Sequence, residues 1–302
     1  MKDVSKAVGG NLRYRIVLAL LVWTLPAIVH AQEARPSDAR EGTRAWLQPL
    51  LVHSPYKLSS AARHGVIEYR LRVDGMPWSW PSTYEQQVAA ASDTVLVRIC
   101  RDCGEESPPD ADALDRYSRG NAYVDSENAS VRAFARTHSR GRSTHLRMRS
   151  LANAVREHMT GRISFGEYMS ASEALAARSG DCTESAVLLA AAARARGIPA
   201  RVVSGIAYSS RFTGQAHVFS PHMWVQAWDG QRWTSYDAGL GEFDAGHIAL
   251  HVGDGDPAGM PPLLEGIRKL RILDAYAPVS SEGAGAAGRV VPSARASNEP
   301  ST

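Results

Sequence analysis

The sequence predicts an α+β protein. Three observations carry that reading: strand-like runs within residues 46–103, helical periodicity from residue 126 onward, and a hairpin of strands after the third helix. Residues 32–103 are read as a β-rich N-terminal region and 104–125 as a linker. The main domain is expected over 126–279, followed by a disordered tail at 280–302, rich in Ser, Gly, Ala and Pro.

The chain opens with the marks of a secretory signal. Lys2, Lys6, Arg13 and Arg15 against Asp3 make a positive start, and Ile16 to Val29 is apolar apart from Thr24 and Pro26. Val29-His30-Ala31 supplies the small residues of a cleavage site, so residues 1–31 are expected to be removed after Ala31. The apolar run of about 14 residues falls short of the roughly 20 that a spanning helix needs, so no stable membrane span is expected after cleavage. An uncleaved anchor is the alternative. Either way the bulk of the chain lies outside the cytoplasm, in the periplasm or secreted.

The chain carries 34 basic and 31 acidic residues. Four of the basic and one of the acidic residues fall in the signal, so the remainder is neutral overall. Such a balance gives no nucleic-acid surface.

In the β-rich region, Val66 to Val73 alternates in part and meets the Asp74-Gly75 turn, and Thr94 to Ile99 follows. Cys100-Arg101-Asp102-Cys103 closes that second strand. In an oxidising compartment these two cysteines can pair, leaving Cys182, the third, as a free thiol. A redox CxxC should open a helix, and a zinc site would need a second pair. A structural disulfide is the favoured reading, with thiol–disulfide chemistry as an alternative.

Further along, Leu146, Met148, Leu151, Ala152, Val155 and Met159 recur at helical spacing, and Ser170 to Ala177 is a second, short helical piece. A third helix starts at Cys182. Asp181 is its N-cap, and Glu184 stands three residues on, the spacing of a capping box. Ala186, Leu189, Ala190 and Ala193 are expected to form its packed face, and Gly197 and Pro199 stop it. A cysteine in the first turn meets free N–H groups and the positive end of the helix dipole. Both favour a thiolate, and the same N–H groups can hold an oxyanion. The bland alternative is a small buried hydrophobe.

His222 to Trp228 alternates like a strand, Asp229-Gly230 is expected as a two-residue turn, and Gln231 to Asp237 returns. With Trp228 opposite Gln231, His222 falls opposite Asp237, with Cβ atoms about 5 Å apart. A carboxylate there can orient the imidazole and stabilise its charged form. The same register puts Trp224, Gln226, Trp228, Trp233 and Ser235 on that face, as plain core or as an aromatic wall.

Gly180-Asp181-Cys182, the run Arg194 to Gly205, the His222-Met223-Trp224-Val225 strand and the Trp233…Asp237 strand together resemble the transglutaminase-like superfamily, over roughly residues 165–240. The resemblance implies a papain-like α+β core with the cysteine helix packed on an antiparallel sheet. It implies Cys182 as nucleophile, His222 as general base and Asp237 as its orienter. The pattern departs in one place: the upstream aromatics Phe165 and Tyr168 do not match the Trp that animal members place before the cysteine. Asp254-Gly255-Asp256 lacks the loop spacing of a calcium site, so no metal and no cofactor are expected.

The expected function is a thiol-dependent acyl transfer at an amide or peptide bond of a protein or peptide substrate, with hydrolysis favoured over transamidation. The alternative is a catalytically inactive binding or scaffold module of the same fold.

Overall fold

The structure, a computed structural model, describes residues 45–161 and 168–277. The signal segment 1–31, Phe165 and the tail 280–302 lie outside the described residues.

The strands build two antiparallel sheets. The larger holds β1 (Val52–His53), β5 (Ala200–Phe212), β6 (Gln215–Trp228), β7 (Trp233–Tyr236) and β8 (His247–Gly253). Its order is β1-β6-β5-β8, with β7 also pairing β6. The smaller sheet runs β3-β4-β2-β9, from β3 (Gln86–Ala91), β4 (Thr94–Ile99), β2 (Ile67–Val73) and β9 (Leu270–Tyr276). β9 therefore completes a sheet begun 200 residues earlier, pairing Leu270 with Val73 and Tyr276 with Glu68.

The larger sheet is the middle of three layers. On one side, Ile206, Tyr208, Phe219, Ile248 and Leu250 pack against Ile67, Tyr69, Leu71, Val97 and Ile99 of the smaller sheet. On the other, Val202, Met223, Val225 and Ala227 pack against helices. These are α3 (Ala129–His138), α4 (Thr144–His158), α5 (Ala171–Ala177) and α6 (Cys182–Arg194). Two shorter helices, α1 (Ser60–Arg63) and α2 (Ala111–Arg116), precede them, and α7 (Leu263–Lys269) follows β8. The antiparallel sheet with its cysteine-bearing helix is the α+β, papain-like arrangement.

Local signals explain these elements well. Ser170 caps α5 in a capping box with Glu173, and Asp181 caps α6 in one with Glu184. In α4, Met148, Leu151, Ala152 and Val155 are buried as their spacing requires, whereas Leu146 points to solvent. For α6 the expectation of one packed face is too narrow: every residue from Glu184 to Arg194 is buried. Helices α3, α4 and α5 and the sheet enclose it on all sides, so the unbroken apolar run Ala186 to Ala193 is what this position demands. Each fully buried leucine here, Leu188 or Leu189, contributes about 1.5–3 kcal/mol by leaving water.

Cys100 and Cys103 form a disulfide, with Cα atoms 5.6 Å apart. None of the described helices is long and apolar enough to cross a membrane.

Candidate active site

Cys182 opens α6. Asp181 Oδ1 accepts from the Thr183 N–H at 2.7 Å, and Glu184 Oε2 accepts from the Asp181 N–H at 2.8 Å. The turn before it needs a glycine. Gly180 has φ +144°, and a Cβ there would come within 2.6 Å of the Glu184 Cβ. Cys182 is the free cysteine among the described residues and is half-buried.

The thiol lies where the outer edge of β6 is open. β1 covers that edge at Val218 and Phe219, and β7 covers it from Val225 to Trp228. Between them the Met223 N–H donates to the Cys182 sulfur. That bond favours the thiolate. Burial, Asp181, Asp237 and Glu184 act against it and push the thiol pKa up. This reverses the expectation of a thiolate favoured by the helix start alone.

His222 and Asp237 are brought together, His222 Nε2 standing 2.8 Å from Asp237 Oδ2, with both side chains buried. The register that joins them differs from the expected one. Trp228 pairs with Trp233 and Gln226 with Ser235, a shift of two residues. The cause is the turn, which spans four residues rather than two. Asp229 Oδ1 accepts from the N–H groups of Gln231 and Arg232, both at 2.9 Å, and the Asp229 N–H donates to the Arg232 carbonyl. A two-residue shift preserves the face, since side chains alternate with period two. Asp237 therefore still reaches His222, from just beyond the end of β7 and not from directly opposite.

Gly239 lies at the centre of the group. A Cβ there would stand 3.2 Å from His222 Cε1, 3.3 Å from Asp237 Oδ1 and 3.6 Å from Cys182 Cβ. All three sequence-predicted residues thus lie around Gly239, where a side chain would be crowded. Asp237 Oδ1 accepts from the Gly239 and Leu240 N–H groups at 2.7 and 3.1 Å, fixing the carboxylate and turning the chain off β7.

Sequence reasoning missed two side chains. His247, at the start of β8, points Nε2 at the same Asp237 Oδ2, 3.1 Å away. Asp244 lies against its Nδ1 at 3.2 Å and pairs with Arg63 at the end of α1. Burial would raise the pKa of Asp237; the charges and hydrogen bonds of His222 and His247 outweigh it and hold the carboxyl far below its usual range. The ligand atoms of His222, Asp237 and His247 lie within 4.8 Å of one another, but each is already satisfied inside a hydrogen-bonded chain.

The tryptophans serve as support. Trp224 stacks on His222 with ring centres 6.2 Å apart, and its Nε1–H donates to Ser235 Oγ. Ser235 and Gln226 in turn donate to the buried carboxylate of Glu85, which enters from the N-terminal region. Tyr168 donates to the Gly255 carbonyl and packs edge-on against Tyr123. A cleft of about 460 Å³ reaches Asp237, walled by His145, Arg149, Asn153, Arg232 and Phe243.

A cysteine at a helix start, set against a His–Asp pair on an antiparallel sheet, defines a fold class shared by thiol enzymes of the papain-like kind. Residues 112–238 match the model of the transglutaminase-like superfamily, and this segment belongs to it. No curated protein matches the chain. Among solved structures, a protein provisionally named as a cysteine protease from Cytophaga hutchinsonii is 15% identical, with a TM-score of 0.44 over 70% of this chain and 85% of its own. The periplasmic domain of TgpA from Pseudomonas aeruginosa is 19% identical, with a TM-score of 0.41 over 62% of this chain and 75% of its own. Red sea bream transglutaminase is 12% identical, with a TM-score of 0.34 over 72% of this chain and 53% of its own.

Proposed function

We propose that this protein is a secreted thiol enzyme that transfers acyl groups from amide or peptide bonds. The observation that supports this best is that the buried His222–Asp237 pair and Cys182 all lie against Gly239. His222 uses Nε2 on Asp237, which leaves Nδ1 as the ring nitrogen for the thiol.

In this reading Nδ1 takes the thiol proton as the sulfur attacks the carbonyl carbon. The S–C bond forms, and the Cys182 N–H at the helix start receives the developing oxyanion. Collapse breaks the C–N bond, and the imidazolium returns the proton to the leaving nitrogen. A thioester remains. Water then adds, with Nδ1 as base, and the S–C bond breaks to give the acid and free thiol. A primary amine in place of water gives the transamidated product. Hydrolysis is the favoured outcome, because it requires only an open site. The Cys100–Cys103 disulfide supports an oxidising compartment outside the cytoplasm, as does the signal-like segment 1–31.

A second reading has its own observation. A thiol pKa pushed up by burial and nearby carboxylates is what a catalytically silent binding module of this fold would show. Glutamine-containing peptides, incubated with and without a primary amine and analysed by mass spectrometry, separate the cases. Peptide cleavage or deamidation gives the hydrolase, and amine incorporation gives the transferase. An unchanged peptide pool with an unlabelled Cys182 gives the binding module.

A further inference from the structure

We infer that His247 is a positioning residue of the Cys182–His222–Asp237 site: backed by Asp244 and Arg63, it grips the same Asp237 oxygen that meets His222 and sets how firmly that carboxylate holds a proton on His222. The inference rests on the thiol-enzyme reading above.

The geometry is that of a buried chain. Asp237 Oδ2 lies between two imidazoles, 2.8 Å from His222 Nε2 and 3.1 Å from His247 Nε2. On its other side, His247 Nδ1 stands 3.2 Å from Asp244 Oδ1 and 3.1 Å from the Asp244 carbonyl. Asp244 is held by the Gly246 N–H at 2.8 Å and by the Arg63 guanidinium. Two backbone contacts brace this loop against the N-terminal region. The Ala245 N–H donates to the Arg63 carbonyl at 2.7 Å, and the Tyr69 hydroxyl donates to the Ala245 carbonyl at 2.7 Å. His247 is 3% exposed, and Trp224 and Phe243 pack against its ring. A ring so enclosed has no freedom to leave its carboxylates.

The groups facing His247 are Asp237 beyond β7, His222 on β6, Asp244 before β8 and, through Asp244, Arg63 on α1. The doubly protonated ring donates to both carboxylates, whereas a neutral ring would have to accept the Asp244 N–H at Nδ1. Burial opposes the charge, but the two carboxylates outweigh it and raise the His247 pKa to about 9. At neutral pH the Asp237 carboxylate that meets His222 therefore also holds the His247 cation. Its pull on the His222 proton is reduced, and the ring centres of the two histidines are 5.6 Å apart. An arrangement that held the His222 proton more tightly would give it up to the leaving nitrogen less readily. His247 keeps the carboxylate fixed while moderating its charge.

The test is the pH profile of Cys182 alkylation by iodoacetate, an anion drawn to the imidazolium and repelled once the proton is gone. His247→Gln keeps an N–H for Asp237 and removes the cation. Its alkaline fall in rate should move to higher pH by about one unit relative to the unsubstituted protein. Iodoacetamide, which is neutral, should lack that fall. An unmoved alkaline limb in a folded variant overturns the inference. Ring-nitrogen NMR of the unsubstituted protein decides it separately: two protonated nitrogens on His247 near neutral pH are expected, and a neutral ring overturns it. If Cys182 resists both reagents, the thiol-enzyme reading fails, and the ring spectrum still reports on His247.

Discussion

His222 meets Asp237 through Nε2, at 2.8 Å, and this leaves Nδ1 outside that bond. The imidazole is thereby held in one tautomer with one free nitrogen. The pair is buried, so solvent does not compete for that bond.

Removing the sulfur should silence the protein and spare the fold. Cys182→Ala leaves α6 capped by Asp181 and Glu184, so thermal unfolding should change by less than about 1 kcal/mol. Turnover of a peptide substrate should vanish. Retained turnover removes Cys182 from the mechanism.

Asp237→Asn should keep the fold and lower kcat by roughly 10²–10⁴-fold, because an amide can present an N–H to Nε2 and so favour the wrong tautomer. KM should change little. A rate equal to that of the parent removes Asp237 from the site.

Stability should depend on pH in two opposite senses. Asp237 has a depressed folded pKa, so its contribution is present above about pH 4 and is lost as pH falls below that. His247 has a raised one, so its contribution is full below about pH 6.5 and is lost as pH rises through 9. The latter is worth up to roughly 3 kcal/mol. Glu184, raised to about 7 chiefly by burial, adds a loss in the same direction at lower pH. The diagnostic is therefore the difference between Tm–pH curves. His247→Gln should flatten the alkaline decline, and parallel curves would show that His247 does not titrate as described.

Leu189→Ala should cost about 2–5 kcal/mol, because the fully buried α6 has no solvent side into which a cavity can collapse. Urea unfolding gives the value. A cost below about 1 kcal/mol would mean that this helix packs more loosely than described.

Substituting both Cys100 and Cys103 by Ser should leave peptide turnover intact, since the bridge closes a short loop beyond β4. Loss of turnover in that variant, together with an active Cys182→Ala, would move the chemistry to the CxxC pair.

The parts of this molecule carried by local signals are the legible ones. The capping box at Asp181 and Glu184 marks the start of α6, and the Asp229-Gly230 turn marks the hairpin that carries His222 and Asp237. The turn's true length was hidden, because the Asp229 side chain, rather than the dipeptide, sets it. The shift of two residues kept the face, so the pairing of His222 with Asp237 survived a wrong register. His247 was illegible for a different reason. Its strand reads as an ordinary buried one, and its role exists only because β8 pairs with β5 and the Asp244 loop leans on Arg63. The pairing of β9 with β2 was equally out of reach, since no local pattern encodes a contact across 200 residues.

The central claim is that His222 activates Cys182. Iodoacetamide labelling of the oxidised protein across pH, with the site read by peptide mass, tests it most directly. The account predicts fast labelling at Cys182 near neutral pH, slowed by at least about tenfold in His222→Ala, a difference of about 1.4 kcal/mol or more in the barrier. Equal rates in the two proteins, both following an ordinary thiol titration, would contradict it.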